Sequence, residues 1–240
     1  LEQGGFLFYM ENISPNQMTR TIRRIIKRHI VGPYLRKKYM RKSPLVTKLN
    51  LGAGNNPIKS WLNTDLRPRR WDVAYMDARK EFPFPKELFD YILGEHLIEH
   101  LNLEDGQHMI QECFRILKTG GKLRISTPDI KFITNLYNPS GENKYYVKSI
   151  IERFLPGLDH NSESGHLFVI NNAFYNFGHK FLYDEGLLRE RFRAVGFHEI
   201  KRVKYGESED PNLSNVEQHS NGVGIENISE IESLVLEGTK

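Results

Sequence analysis

Short apolar runs that end abruptly on a glycine or an acid set the rhythm of the chain. Lys48–Leu51 runs into Gly52-Ala53-Gly54, Trp61–Thr64 into Asp65, Val73–Met76 into Asp77, and Phe89–Leu93 into Gly94-Glu95-His96. A fifth run, Lys122–Pro128, follows a segment of helical periodicity. Asn102 is expected to cap that helix, with Glu104 and Asp105 in its first turn, Lys118 near its end and Gly120-Gly121 as its stop. A second helix is predicted from Asp184 through Leu187, Leu188, Phe192 and Val195 to Gly196. Glu199–Tyr205 reads as a sixth strand and Ile231–Leu236 as a final buried one. Strands that alternate with helices predict a mostly parallel sheet covered on both faces.

Two stretches break the rhythm. Residues 131–181 are rich in aromatics and histidine and are expected to form an insertion over the carboxyl edge of the sheet. Gly206–Ser229 is long, polar and uneven, which in a compact domain predicts a functional or mobile loop. Upstream, residues 15–31 read as an amphipathic helix, with Ser14 as cap, Pro15 in its first turn, and Met18, Ile22, Ile25, Ile26 and Ile30 at helical spacing. Gly32-Pro33 is expected to stop it, and Ser43-Pro44 to separate a basic arm, residues 1–44, from a domain of residues 45–240.

Composition narrows the classes. With 240 residues, 39% hydrophobic, the chain is long enough for a substantial core and has no apolar run of membrane-spanning length. No signal-peptide pattern opens it, and its single cysteine, Cys113, excludes an internal disulfide framework; a cytoplasmic setting is expected, with Cys113 a buried apolar residue. The net charge of +4 is unevenly spread: no acid occurs between Glu11 and Asp65, where basic residues crowd one segment. That excess describes a surface.

The chemistry lies at the strand ends. Gly-x-Gly after a buried strand lets the backbone turn sharply and lets a ligand approach without meeting a β-carbon. Asp65, ending the next strand, is placed to accept hydrogen bonds from ribose hydroxyls. The third glycine of a dinucleotide fingerprint is absent, since Pro57 holds its position, and the connection to the second strand is too short for a full crossover helix. Both points argue against a nicotinamide dehydrogenase.

Taken together, Leu49–Asp65, Phe89–Leu101, the Leu-Lys-x-Gly-Gly-x-Leu-Arg-Ile-x-x-Pro-Asp signature within Ile116–Asp129, His179–Phe197 and Glu232–Lys240 resemble class I S-adenosylmethionine-dependent methyltransferases. The nearest resemblance is to small bacterial methyltransferases of surface-polysaccharide (lipopolysaccharide or capsule) biosynthesis. It implies a Rossmann-like α/β fold, a seven-stranded, mostly parallel sheet whose last strand is antiparallel. Thr119 departs from the usual proline of the signature, and the first helix is nearly missing. The resemblance further implies that Gly52, Ala53, Gly54 and Asn55 border the methionine part of the cofactor, Asp65 and Leu66 its ribose, Asp77 and Ala78 its adenine, and Glu95 and His96 the sulfonium and the acceptor.

Methyl transfer from a sulfonium needs alignment and removal of one proton, so a histidine of near-neutral pKa suits an acceptor hydroxyl. His100 is the expected base, with His96, His179 and His166 as further candidates. His96-x-x-Glu99-His100 matches the inverzincin pattern, yet it begins at a strand terminus, and no metal site is expected. The expected reaction is O-methylation of a saccharide hydroxyl in surface-glycan biosynthesis. Its competitors are a small-metabolite or RNA methyltransferase and a non-catalytic cofactor-binding domain. The basic arm, residues 15–42, reads as packed on its own domain, as contacting an anionic membrane surface, or as binding nucleic acid. Against the last, the fourth strand lacks the Asn/Asp-Pro-Pro-aromatic motif of amine methylation, and no Pro-Cys pair serves cytosine chemistry.

Overall fold

Strands β1 (Lys48–Leu51), β2 (Leu62–Asp65), β3 (Ala74–Tyr75), β4 (Phe89–Glu95), β5 (Leu117–Pro128), β6 (His198–Val203) and β7 (Ser233–Thr239) form one sheet in the order β3-β2-β1-β4-β5-β7-β6. The computed structural model describes residues 15–42, 45–155, 157, 163–219 and 228–240. β7 is antiparallel to both its neighbours, and the other pairings are parallel. This is the Rossmann-like class I methyltransferase topology that the sequence predicts. Parallel strands place their carboxyl ends on one edge, and there the glycine and acid termini of β1, β2 and β4 gather.

Eight α-helices are described: α1 (Pro15–Ile26), α2 (Gly32–Arg41), α3 (Leu103–Ile116), α4 (Ile130–Asn135), α5 (Glu142–Phe154), α6 (Gly165–Tyr175), α7 (Glu185–Val195) and α8 (Ile228–Glu232). Asn102 and Asp184 cap α3 and α7 as expected, accepting from Asp105 N and Leu187 N at 2.7 Å each. No helix covers the β1–β2 connection, residues 52–61. The Asn63 side chain braces it instead: Oδ1 accepts from Asn50 Nδ2 (3.0 Å) and Ile58 N (2.8 Å), while Nδ2 donates to Ile58 O (2.9 Å) and Trp61 O (3.1 Å).

The main core joins Leu49, Phe89, Ile92, Met109, Ile110 and Ile125 with Phe192 and Leu236. Cys113 lies inside it, where burial pushes its thiol far above the ordinary range. A separate core within the 131–181 stretch gathers Ile133, Tyr146, Ile150, Ile151 and Val169 from α4, α5 and α6, with Ile228 of α8. Part of the 206–229 stretch is packed: Leu213 and Val216 are buried against Trp61 and Leu93. Fully buried Arg124 reaches this segment through Glu217 and β7 through Glu237, and its Nη1 also donates to Glu207 O (2.9 Å).

Three expectations need correction. Gly32-Pro33 does not stop the basic helix. A π-helical turn, Lys27–Val31, absorbs the proline, and α2 continues to Arg41. A β-carbon on Gly32 would stand 3.1 Å from Lys27 O and 3.2 Å from Tyr75 N, so glycine lets the helices approach β3 closely. The arm is docked: Lys27 Nζ donates to Pro68 O (2.6 Å) and Arg70 O (3.2 Å), Arg36 Nη1 to Tyr75 O (3.2 Å), and Lys48 N to Tyr39 Oη (2.7 Å). The expected Ser14 cap and the Ser43-Pro44 separator lie outside the described residues.

The helix before β5 ends at Ile116, and Lys118–Gly121 belongs to the strand side, where the β4–β5 register shifts and Lys118 Nζ pairs with Asp90 (2.9 Å). Finally, Ile231 and Glu232 finish α8, so the last strand begins at Ser233 and reaches Thr239. No helix among the described residues is long and apolar enough to cross a membrane.

Asp210 ties the packed loop to the sheet. Its carboxylate accepts from Lys122 Nζ (2.9 Å) and Tyr91 Oη (3.0 Å), and Asp210 Oδ1 accepts from Asn212 N (3.0 Å). Burial raises its pKa, but these donors outweigh it and bring the carboxyl to about 2 from an ordinary 3.8. A lowered folded pKa gives stability that is full above the unfolded value and is lost as pH falls through the folded one. Urea unfolding of Asp210→Asn should therefore show lower stability than wild type at neutral pH and a smaller loss between about pH 4 and 2. Equal acid limbs in the two proteins would contradict the loop anchor.

Candidate active site

The first half of the site is built at the ends of β1, β2 and β3. Gly52 turns the chain with φ of +69°, and a β-carbon there would stand 3.1–3.3 Å from the Leu97 side chain. The next two amides are held in place: Ala53 N donates to Thr64 O (2.9 Å) and Gly54 N to Asp65 Oδ2 (3.0 Å). Asp65 Oδ1 accepts from Arg67 N (2.6 Å), so the carboxylate also shapes the turn after its own strand. Each of its oxygens keeps room for a further donor. Asp77 is clamped by Arg79 at 2.8 and 2.9 Å, and that guanidinium holds its carboxyl below the ordinary range. Gly52, Asp65, Leu66, Asp77, Ala78 and His100 line one cavity of about 250 Å³.

A second cavity, about 410 Å³, lies between the sheet edge and α5 and α6, and His100 lines this one too. Asn55, His96, Glu99 and His179 are also in its wall. His96 sits at φ +44° with both ring nitrogens engaged, Nδ1 3.2 Å from Glu99 Oε1 and Nε2 2.9 Å from Ser233 Oγ. Its ring stacks on His219 at 4.0 Å. Burial opposes its charge, but Glu99 outweighs burial and raises the His96 pKa; Glu99 is lowered in return. His219 goes the other way, to about 3, because burial and the neighbouring His96 disfavour its charge. Tyr146 Oη donates to Glu232, whose carboxyl is raised by burial.

His100 and His179 face each other edge to face, ring centroids 5.1 Å apart. Each places Nδ1 against a backbone carbonyl: Gly178 O at 3.3 Å for His100 and Ala173 O at 2.6 Å for His179. His166 stands apart, against Tyr137 at 5.7 Å, and lines neither cavity. Glu95 is in the wall of neither cavity. Its carboxylate accepts from Tyr205 Oη (2.9 Å), Gln218 N (2.8 Å) and His219 N (2.8 Å), pinning the 216–219 segment. Among the wall residues that escaped the sequence reading are Lys180 in the first cavity, and Tyr146, His219 and Glu232 in the second. Lys180 and His219 come from irregular stretches, where no periodicity says which residues turn inward, whereas Tyr146 stands on α5 and Glu232 at the end of α8.

Residues 52–125 match a family model described as a methyltransferase domain. A comparison with curated proteins finds no match. Among solved structures, the fold is similar to an S-adenosylmethionine-dependent methyltransferase of Archaeoglobus fulgidus (16% identity, 88% of this chain and 93% of that one, TM-score 0.47). It is also similar to a possible histamine N-methyltransferase of Thermotoga maritima (17%, 92% and 96%, TM-score 0.46). A third is a phosphoethanolamine N-methyltransferase of Haemonchus contortus (17%, 87% and 52%, TM-score 0.44). The match gives residues 52–125 as a methyltransferase domain, which points to an enzyme that uses S-adenosylmethionine.

The glycine turn gives a direct check on the first cavity. Gly52→Ala forces a β-carbon into left-handed backbone and against Leu97. It should cost about 1–2 kcal/mol in chemical denaturation. Wild-type stability in this variant would show that the turn relaxes freely.

Proposed function

We propose that the protein transfers a methyl group to a saccharide hydroxyl in surface-glycan biosynthesis. The observation that carries this reading is the pair of cavities that meet at His100. The first suits S-adenosylmethionine: Gly52 leaves open the ground that a β-carbon would fill, and acids at the tips of successive strands offer acceptors to hydroxyls and an amine. Gly52, Ala53, Gly54 and Asn55 would hold its amino-acid end, Asp65 and Leu66 its ribose, and Asp77 and Ala78 its adenine. The cofactor supplies an activated methyl on a sulfonium. What remains for the chain is to orient the acceptor, exclude water and remove a proton.

The second cavity has the character of an acceptor site. Asn55, Asn56, Tyr146 and Glu232 supply polar groups suited to several hydroxyls, and Phe154 and Phe177 supply apolar faces for a sugar ring. Residues 131–181 then act as its lid. His100 and His179 are the groups through which an acceptor hydroxyl loses its proton, because both rings stand in this wall. His96, with both nitrogens engaged, orients Glu99.

The arm adds a location. Ile22, Ile25 and Ile30 are 44–64% exposed beside exposed Arg20, Arg23, Arg24 and Arg28, an apolar and cationic face suited to an anionic bilayer. Vesicles containing anionic lipid should retain the protein at low salt, and Ile22→Asp with Ile25→Asp should release it. Equal retention on neutral vesicles would remove the membrane reading.

Turnover of labelled S-adenosylmethionine against nucleotide sugars, lipid-linked glycans, amines and RNA tests the reaction. Label on a saccharide oxygen is expected; label on RNA or an amine alone overturns the saccharide reading, and cofactor binding without any turnover makes the chain a non-catalytic binder. Asp65→Ala should weaken cofactor affinity by about 10–100-fold, the loss of charge-assisted hydrogen bonds worth about 1.5–3 kcal/mol. His100→Asn should lower kcat by about 10²–10⁴ with cofactor affinity nearly unchanged. Calorimetry and steady-state kinetics separate the two effects, and near-normal turnover in a folded His100→Asn would clear this residue of any part in proton removal.

A further inference from the structure

Glu99, His100 and His179 carry a feature that proton removal by a lone imidazole does not use. One ligand atom from each lies within 4.8 Å of the other two. Ligands about 2.0–2.2 Å from a shared cation stand roughly 3–4 Å apart, so modest closure brings this set into contact with one ion. The two rings are prepared for it. With Nδ1 of His100 facing Gly178 O and Nδ1 of His179 facing Ala173 O, a proton on each Nδ1 leaves both Nε2 lone pairs free. An imidazole whose second nitrogen donates to a backbone carbonyl is the usual outer-shell arrangement of a metal-binding histidine.

Glu99 is the independent observation. Its carboxylate is wholly buried; Oε2 accepts from Thr127 Oγ1 at 3.1 Å, while Oε1 lacks a hydrogen-bond partner, with only the ion-pair contact to His96 at 3.2 Å. A buried carboxylate beside two imidazoles offers a cation one oxygen and two nitrogen ligands.

We propose that Glu99, His100 and His179 form a site for one first-row divalent cation, such as Zn²⁺, Mn²⁺ or Co²⁺, in the wall of the acceptor cavity. Two imidazoles favour these ions over Mg²⁺ or Ca²⁺, and three protein ligands leave positions open to the cavity. The His-x-x-Glu-His run is thus divided. His96 turns to Ser233 and His219, whereas Glu99 and His100 join His179 from the far end of the insertion. This rests on the reading of the cavity as the acceptor site. There the cation would hold an acceptor hydroxyl and lower its pKa, so that His100 and His179 promote loss of the proton as ligands of the cation and not as free bases, the proton leaving to a water bound at an open position of the cation.

The test uses the full chain, stripped with a chelator and titrated with Co²⁺ alone. Calorimetry should show one saturable site, with visible absorption bands that report nitrogen and oxygen ligation. His100→Ala and His179→Ala, each checked for fold by circular dichroism, should weaken binding by at least about 10–100-fold, the loss that even outer-shell changes cause. His166→Ala should bind as wild type does. Absence of saturable binding in wild type, or binding that persists in both cavity variants, overturns the inference. S-adenosylhomocysteine titrated into the metal-free protein reports separately: binding there without a Co²⁺ site refutes the cation and leaves the methyltransferase reading intact.

Discussion

A carboxylate with no exposure to solvent is the constraint around which the site is organised. Glu99 cannot sit ionised in the interior unless its surroundings are arranged to hold it. His96 supplies an ion-pair contact at 3.2 Å, Thr127 supplies a hydroxyl from the end of β5, and the Glu99 carbonyl accepts from Lys180 N and Phe181 N at the close of the insertion. One residue thereby fixes the end of β4, the end of β5 and the return of the chain from the 131–181 stretch. The left-handed backbone of His96 follows from the same demand, because that turn brings its ring back onto Glu99. Conformational strain at such a position persists only where several contacts hold it.

The parts legible in the sequence were those governed by short-range rules. The carboxyl ends of β1 and β2, the Gly52 turn, the Asn102 and Asp184 caps and the Gly196 stop each depend on a few neighbouring residues, and each is where the pattern puts it. The acids at the tips of β2 and β3 were visible because a parallel sheet gathers its carboxyl ends. Long-range choices were not legible. Nothing local says that Pro33 is absorbed by a π-helical turn, since that depends on how closely Gly32 must approach β3. Glu95 has the right position for a cofactor ligand, yet the backbone amides of Gln218 and His219 claim it from more than a hundred residues away.

The absent first helix shows how a fold can lose an element and keep its geometry. A crossover helix ordinarily fills the face above β1 and sets the approach to β2. Here the amide of Asn63 performs the bracing, and Leu213 and Val216 from the late loop fill the space beside Trp61 and Leu93. Arg124 completes that replacement by joining β5 to Glu217 of the loop. The described part of the loop, residues 206–219, is therefore part of the wall of the sheet.

Docking of the helical arm on β3 has an effect on how copies of the chain can meet. A two-residue edge strand leaves peptide groups that another chain could extend by strand addition. The arm occupies that position: Arg36 takes the carbonyl of Tyr75, Lys27 takes those of Pro68 and Arg70, and Gly32 lies flush against the Tyr75 amide. At the opposite edge, β6 carries Lys201 and Arg202 in ion pairs with Glu209 and Asp129, charges that discourage a neighbouring strand. Growth of the sheet from one molecule into the next is thus blocked on one side by a helix and opposed on the other by charge.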